Sequence, residues 1–349
     1  MTSLDPAARS PTAAPHTHEK KAQSQAQCVP ALASKDLRKS YGRGKKRFEA
    51  VRGVSLAIQP GEVLAFLGPN GTGKTTTIKM IAGLIRPDAG WVNIAGRDPH
   101  REPEALKGVG AVLEGNRNLY WRLTPLENLE YFGVLRQMTR RRAQQKGEQL
   151  LDAFGLIDKR NVAVQKLSRG MQQKIAIAVA LIHEPSLLLL DEPTLGLDVE
   201  AGETVKQLVR QVAADGCAIL LTTHQLNVAE ELSDRVAVIR AGQIVAEQPT
   251  AALIRTFSDS ATYEIELDSV PDAAKRAEIE AFGAIATDNL IRYTPNRAAI
   301  SPSNPVSTDI YALLNILSPL PLIEVRQHRA DLTDVFLRLT RAEEGEAQK

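Results

Sequence analysis

The stretch Gly68-Pro69-Asn70-Gly71-Thr72-Gly73-Lys74-Thr75-Thr76 can close a ring of backbone N–H groups around a row of phosphates. Its glycines at 68, 71 and 73 permit positive φ and leave no Cβ in the way of an oxyanion. Lys74 would sit on the β- and γ-phosphates of a nucleotide, and Thr75 would offer its hydroxyl to Mg²⁺. A second group with matching chemistry is Asp191-Glu192, at the end of the run Leu187-Leu188-Leu189-Leu190. Beside a phosphate-binding loop, the first carboxylate holds Mg²⁺ through its water shell and the second polarises an attacking water. His224 follows the apolar stretch Cys217 to Thr223. A histidine delivered to the same sheet edge as Lys74 and Asp191 is a candidate γ-phosphate contact.

These residues work together only if the elements around them bring them to one edge. Val63-Leu64-Ala65-Phe66-Leu67 has the make-up of a buried parallel strand, and Thr75 through Leu84 lacks Pro and Gly until Gly83. Strand, glycine-rich turn and helix therefore follow in order, and the helix N-terminus aims its free amides and positive dipole end at the phosphate position. Leu187 to Leu190 reads as a second buried strand, so its carboxylates lie at the carboxyl edge of a parallel sheet, where ligands bind. Ser168, in Leu167-Ser168-Arg169-Gly170-Met171, stands in N-cap position before the apolar helical stretch Ile175 to Ile182. It opens another helix N-terminus able to receive an anion, although on its own it reads first as a plain capped helix.

The rest of the chain sets bounds. With 349 residues, a net charge of +2 and 24% charged residues, it is long enough for a large core plus a smaller module, and its bulk charge gives no sign of a nucleic-acid binder. Its two cysteines, Cys28 and Cys217, point to a reduced compartment rather than a disulfide framework. No apolar run approaches the roughly 18 to 20 residues that span a bilayer, and residues 1–30 lack the apolar segment of a signal peptide. A cytoplasmic protein that borrows any membrane attachment from a partner is expected.

Residues 1–30, rich in Ala, Pro, Gln, Ser and His, are expected to be a disordered tail, with His16 and His18 as solvated side chains. From Ala31, strand-like runs reach Leu37, Tyr41 and then Val51 to Ile58, broken by the basic segment Arg43 to Arg47. Tyr41 is a candidate to stack on a nucleobase, with a half-buried structural tyrosine as the alternative. Val109 to Glu114 reads as a core strand ending at an acid; beyond it, Thr124 can cap a helix that begins at Pro125, and residues 116–165 form a helical insert. Beyond Leu253, strands at 263–267, 290–293 and 322–325 alternate with helices at 273–282, 308–317 and 332–339, a small α+β module over 254–349.

Taken in this order, residues 32–253 resemble the ATP-binding subunit of ABC transporters. The glycine-rich loop alone would admit kinases and GTPases. Leu167 to Met171 resembles the ABC signature, Asp191-Glu192 ends a Walker B strand, Leu195 to Asp198 resembles the D-loop, and His224 the switch histidine. The resemblance implies a P-loop α/β fold: a mostly parallel sheet with an antiparallel β subdomain and a helical insert, the ATPase domain covering 31–253. It implies ATP and Mg²⁺ as ligands, Tyr41 as the aromatic under the base, and catalytic roles for Lys74, Glu192 and His224. It also implies a head-to-tail homodimer in which Ser168 and Gly170 close on the γ-phosphate held by Lys74 of the other chain.

Two positions depart from the family pattern. Glu114 stands where a glutamine is common, which keeps an oxygen ligand for Mg²⁺ or water but adds charge, and Arg169 replaces the first signature glycine. The last segment, Leu332 to Leu337, resembles the end of ATPases that serve exporters of drugs, antibiotics and polysaccharides. The expectation is therefore an ATPase driving export through a separate integral-membrane permease, peripheral on the inner face of the cell membrane. The alternative, a soluble relative acting on ribosomes or DNA, would carry two cassettes or long coiled coils. A P-loop kinase would leave the signature segment without purpose.

Overall fold

The computed structural model describes residues 29–113, 119–257, 262–294, 307–328 and 331–341. The tail residues 1–28, with His16, His18 and Cys28, and the position Glu114 lie outside these ranges.

The chain opens with β1 (Leu32–Tyr41) and β2 (Phe48–Ile58), an antiparallel pair in which Tyr41 faces Phe48. The buried strand β3 (Val63–Leu67) leads through the glycine loop to α1 (Lys74–Ile81), and β4 (Ala89–Ile94) then returns to pair with β1. After β5 (Val109–Val112) come α2 (Pro125–Leu135) and α3 (Arg140–Ala153), the helical insert. Thr124 caps α2 in a full capping box with Glu127, and Pro125 occupies its first turn. Next follow α4 (Arg169–Leu181), β6 (Leu187–Asp191), α5 (Val199–Ala214), β7 (Ala218–Thr222), α6 (Leu226–Leu232), β8 (Arg235–Arg240), β9 (Gln243–Pro249) and α7 (Thr250–Phe257). The last part holds β10 (Thr262–Leu267), α8 (Ala273–Ala281), β11 (Ala284–Thr287), β12 (Leu290–Tyr293), α9 (Ser307–Leu317), β13 (Leu322–His328) and α10 (Leu332–Arg341).

Among the described residues three sheets result, in the orders β2-β1-β4, β5-β6-β7-β3-β8-β9 and β11-β12-β10-β13. In the central one, β5, β6, β7, β3 and β8 run parallel and β9 is antiparallel at the edge. Its inner strands are continuous apolar runs because both faces are covered. Leu64 and Phe66 pack toward α1 and the antiparallel sheet, and Val63, Leu188 and Leu190 toward α4 and α5. Phe66, next to last in β3, is fully buried, and truncating such a side chain costs about 3–5 kcal/mol. β3, β6 and β7 therefore form a stiff base from which the loops at their carboxyl ends project.

The C-terminal part differs from the sequence expectation in two details. Ala284–Thr287 adds a strand, β11, too short and mixed in composition to announce itself. Helix α10 does not pack with the four-stranded sheet: Leu332 and Val335 are buried against Ala229, Val236 and Leu253 of the nucleotide-binding part. Glu230 accepts from the Leu332 N–H (2.9 Å), and Arg240 donates to the Leu339 carbonyl (2.8 Å). We therefore group α10 with α6 and α7 rather than with the module expected over 254–349.

Candidate functional site

A cleft of about 370 Å³ opens at the carboxyl edge of the central sheet, lined by Tyr41, Phe48, Ala50, Asn70, Gly71, Gly73, Lys74, Thr75, Thr76, Asp191, Glu192, Leu195 and His224. Candidate residues from four separate stretches of chain thus meet in one place.

The glycines work in two ways. Gly73 has φ +106° as the N-cap of α1, and a Cβ there would lie 2.4 Å from the Ala50 carbonyl oxygen. Gly71 also has positive φ, with open space around it, as a loop that must admit a ligand requires. Gly68, where a glycine would permit positive φ, does not adopt it. Its requirement is space, since a Cβ would fall 2.3 Å from the Ile239 carbonyl oxygen of β8. Thr72 Oγ1 closes the loop by donating to the Pro69 carbonyl at 2.8 Å. Lys74 is buried, and its Nζ donates to the carbonyls of Gly68 and Pro69. Burial lowers the Lys74 pKa, and the Glu192 and Asp191 carboxylates push it part of the way back.

On the opposite wall, Asp191 ends β6 with its carboxylate buried. Oδ1 accepts the Thr222 hydroxyl, while Oδ2 is buried with no hydrogen-bond partner among the described residues. An orphaned buried carboxylate oxygen is costly unless a cation completes it. Facing Thr75 across a cleft that also holds Glu192, it fits a hard divalent ion such as Mg²⁺, which takes one or two protein oxygens and keeps its waters.

Glu192 follows with φ +52°, a left-handed conformation uncommon for a residue with a Cβ. This turn swings its carboxylate toward the end of β7: Oε1 lies 2.8 Å from His224 Nδ1, and Oε2 accepts from Thr223 Oγ1 at 3.1 Å. The Glu192 N–H also donates to the Thr222 carbonyl at 2.9 Å. The loops after β6 and β7 are laced further by Thr194 Oγ1 donating to Gln225 Oε1 at 2.7 Å. Thr222, Thr223, Thr194 and Gln225 were not singled out from sequence. The only signal available was their adjacency to Asp191, Glu192 and His224.

Tyr41 and Phe48 form an aromatic pair at the cleft mouth, with ring centroids 5.9 Å apart and planes at 32°. Phe48 is 59% exposed and lines the cleft as Tyr41 does. Sequence reasoning found Tyr41 and missed Phe48, which becomes a neighbour only through the β1–β2 register.

Ser168 and Gly170 do not line the cleft of their own chain. Ser168 caps α4, accepting from the Met171 N–H at 3.3 Å. Gly170 has a local requirement not anticipated from sequence, because a Cβ there would approach Ala201 Cβ to 2.7 Å. The exposed Arg169 side chain reaches the Gly196 turn, where its guanidinium would lie 3.5 Å from an added Cβ. Glu114, expected as a nucleotide and metal contact, lies outside the described residues.

A phosphate-cradling loop with its lysine, a strand-end Asp-Glu pair and a histidine on the glutamate define a P-loop nucleoside triphosphatase. A family model described as ABC transporter matches residues 51–195. The daunorubicin resistance ATP-binding protein DrrA3 of Streptomyces coeruleorubidus is 34% identical over 315 residues, 89% of this chain and 96% of that one. The Nod factor export ATP-binding protein I of Burkholderia lata is 37% identical over 85% of this chain and 94% of its own length. Among solved structures, an ATP-binding subunit of an ABC transporter superposes with a TM-score of 0.58 at 32% identity, over 65% of this chain and 93% of that one. A dimeric post-hydrolysis ATP-binding cassette bound to ADP and Pi gives a TM-score of 0.57 at 30% identity, over 63% and 98%. The chain belongs to the ABC transporter ATP-binding proteins, and it is an ATPase of that family.

Proposed function

We propose that this chain hydrolyses ATP to power export through a separate integral-membrane permease, working as a head-to-tail pair at the cytoplasmic face of the membrane. The observation that carries the reading is the cleft itself, in which Lys74, the orphaned Asp191 oxygen and the His224-held Glu192 converge.

In this reading the base stacks at Tyr41 and Phe48, the amides of residues 69–75 bind the phosphates, and Lys74 turns from its own loop carbonyls to the β- and γ-phosphate oxygens. Thr75 and Asp191 would hold Mg²⁺, which neutralises charge on the phosphates when bound. Glu192, fixed by Thr223 and His224, orients the water that attacks the γ-phosphorus. Ser168, with the amides at the N-terminus of α4, supplies the last donors from the second chain. Exposed Leu195 at the cleft rim and Val199, 92% exposed at the start of α5, suit a surface covered by that chain.

Export is supported by the drug-resistance and Nod factor export names of the relatives. No helix among the described residues is long and apolar enough to cross a membrane, so the permease would be another chain. Its docking place would be the exposed patch of Tyr120, Trp121, Tyr131, Val134 and Leu135 on the helical insert. That patch is built rather than incidental: buried Asn128 accepts from the Tyr120 N–H (2.8 Å) and donates to the Tyr120 carbonyl (3.1 Å), and Tyr120 packs edge-on against Tyr131 at 4.8 Å. Affinity purification of the full chain from detergent-solubilised membranes tests the reading. A co-purifying polytopic protein that is lost with Trp121→Asp supports it; recovery of ribosomes or DNA instead would refute it.

A further inference from the structure

Strand β13 (Leu322–His328) is an edge. It pairs with β10 on one side, and among the described residues no backbone hydrogen bond reaches its other side. All of Leu322 to Gln327 is exposed, including Leu322, Ile323 and Val325 at 45%, 58% and 43%. Soluble proteins usually blunt such an edge with a short strand, proline, lysine or a covering element. The opposite edge of the same sheet follows that rule, since β11 is only four residues long. β13 has seven residues, with neither proline nor lysine, and its two charged residues, Glu324 and Arg326, are of opposite sign, so the strand carries no net repulsive charge.

We infer that β13 is the pairing edge for a second copy of this chain, joined antiparallel across a twofold axis at Val325, so that one continuous sheet runs through both C-terminal modules. The charge pattern selects both the partner and the register. Val325 lies opposite the buried Ile265, so it sits on the helix-covered face, whereas Glu324 and Arg326 point to the open face. There Glu324 stands across from Glu266, a like charge, and its countercharge is Arg326 of its own strand at 2.8 Å. Centring the twofold on Val325 puts Glu324 against the partner subunit's Arg326, and Arg326 against the partner subunit's Glu324. Opposite charges directly across a strand pair attract, and like charges there repel. Centring on Glu324 or on Arg326 would set each against itself, and centring between residues would place charges opposite apolar side chains. Val325 then meets its own copy on the helix side, extending the apolar core of one module into the other. Such isologous contacts are the usual way a chain pairs with itself.

This inference does not rest on the ATP-driven pairing proposed above, and the experiment keeps them apart. The full chain is sedimented without nucleotide, as parent, as Glu324→Arg, as Arg326→Glu, and as an equal mixture of the two variants. The parent is expected to be dimeric. Each variant alone carries like charges across the axis and is expected to be monomeric, while bound-ATP stoichiometry and far-UV circular dichroism match the parent. Mixing restores complementarity across the axis but not within either chain, so return of the dimer on mixing is specific to the intermolecular pair. A monomeric parent, variants that dimerise as the parent does, or a mixture that stays monomeric would each overturn the inference. Association that requires ATP and ignores both substitutions belongs to cleft closure and counts against β13.

Discussion

At the scale of single residues, the cleft shows how local cost supports chemistry. Lys74 is a cation held in a buried place, Glu192 a side chain in a glycine-like backbone conformation, and Asp191 a buried carboxylate with a free oxygen. Each is unfavourable alone, and each would be offset by the triphosphate and Mg²⁺ proposed to bind there. Phe48 carries a prediction at this scale. Base-on-aromatic stacking contributes about 1–3 kcal/mol per base, so Phe48→Ala should weaken ATP binding by about 5- to 150-fold by calorimetry. Binding of tripolyphosphate should be unchanged; an equal loss for both ligands would mean that Phe48 only shapes the loop. Lys74 could be read from sequence because it closes a glycine-rich loop of fixed spacing, and Asp191, Glu192 and His224 because each sits where an apolar run ends. Phe48 could not, since it follows a basic segment and reaches the cleft only through cross-strand pairing with Tyr41.

At the scale of elements, the parallel strands and the helices at their carboxyl ends were legible because period, caps and glycines agree. What could not be read was where amphipathic elements dock. Helix α10 shows an apolar face in sequence, but Leu332 and Val335 cover α6 and α7 rather than the module that precedes them. Gly170 was read as an opening toward phosphate, yet it is also the point where α4 crosses Ala201 of α5. A substitution at Gly170 therefore disturbs its own chain first and reports poorly on phosphate contact. Cys217, at the entry to β7, gives a testable property of the core. Burial raises its thiol from the ordinary 9.0 to about 11, so the folded protein keeps a proton that the unfolded chain releases. This contribution to stability is complete below pH 9 and is lost as pH rises toward 11. Urea denaturation across that range should show a downward slope that Cys217→Ala removes. A variant with the parent's slope would place the titration elsewhere.

At the scale of the whole molecule, each chain carries two separate candidate surfaces: the Lys74 cleft and the Ser168 end of α4, which does not line that cleft. In the proposed head-to-tail pair, two chains would complete each site. Lys74→Ala and Ser168→Arg should each be inactive alone, whereas their mixture should hydrolyse ATP, because a mixed pair retains one composite site with both residues intact. A mixture no more active than its components would show that one chain suffices. Glu192 is the residue proposed to turn bound ATP into a reacting one, and comparing equilibrium ATP binding with steady-state hydrolysis for Glu192→Gln tests this most directly. An amide keeps the shape and the Thr223 contact but removes the carboxylate that orients water, so binding should stay near the parent's while turnover falls about 100-fold or more. Hydrolysis by Glu192→Gln at close to the parent rate would contradict the account.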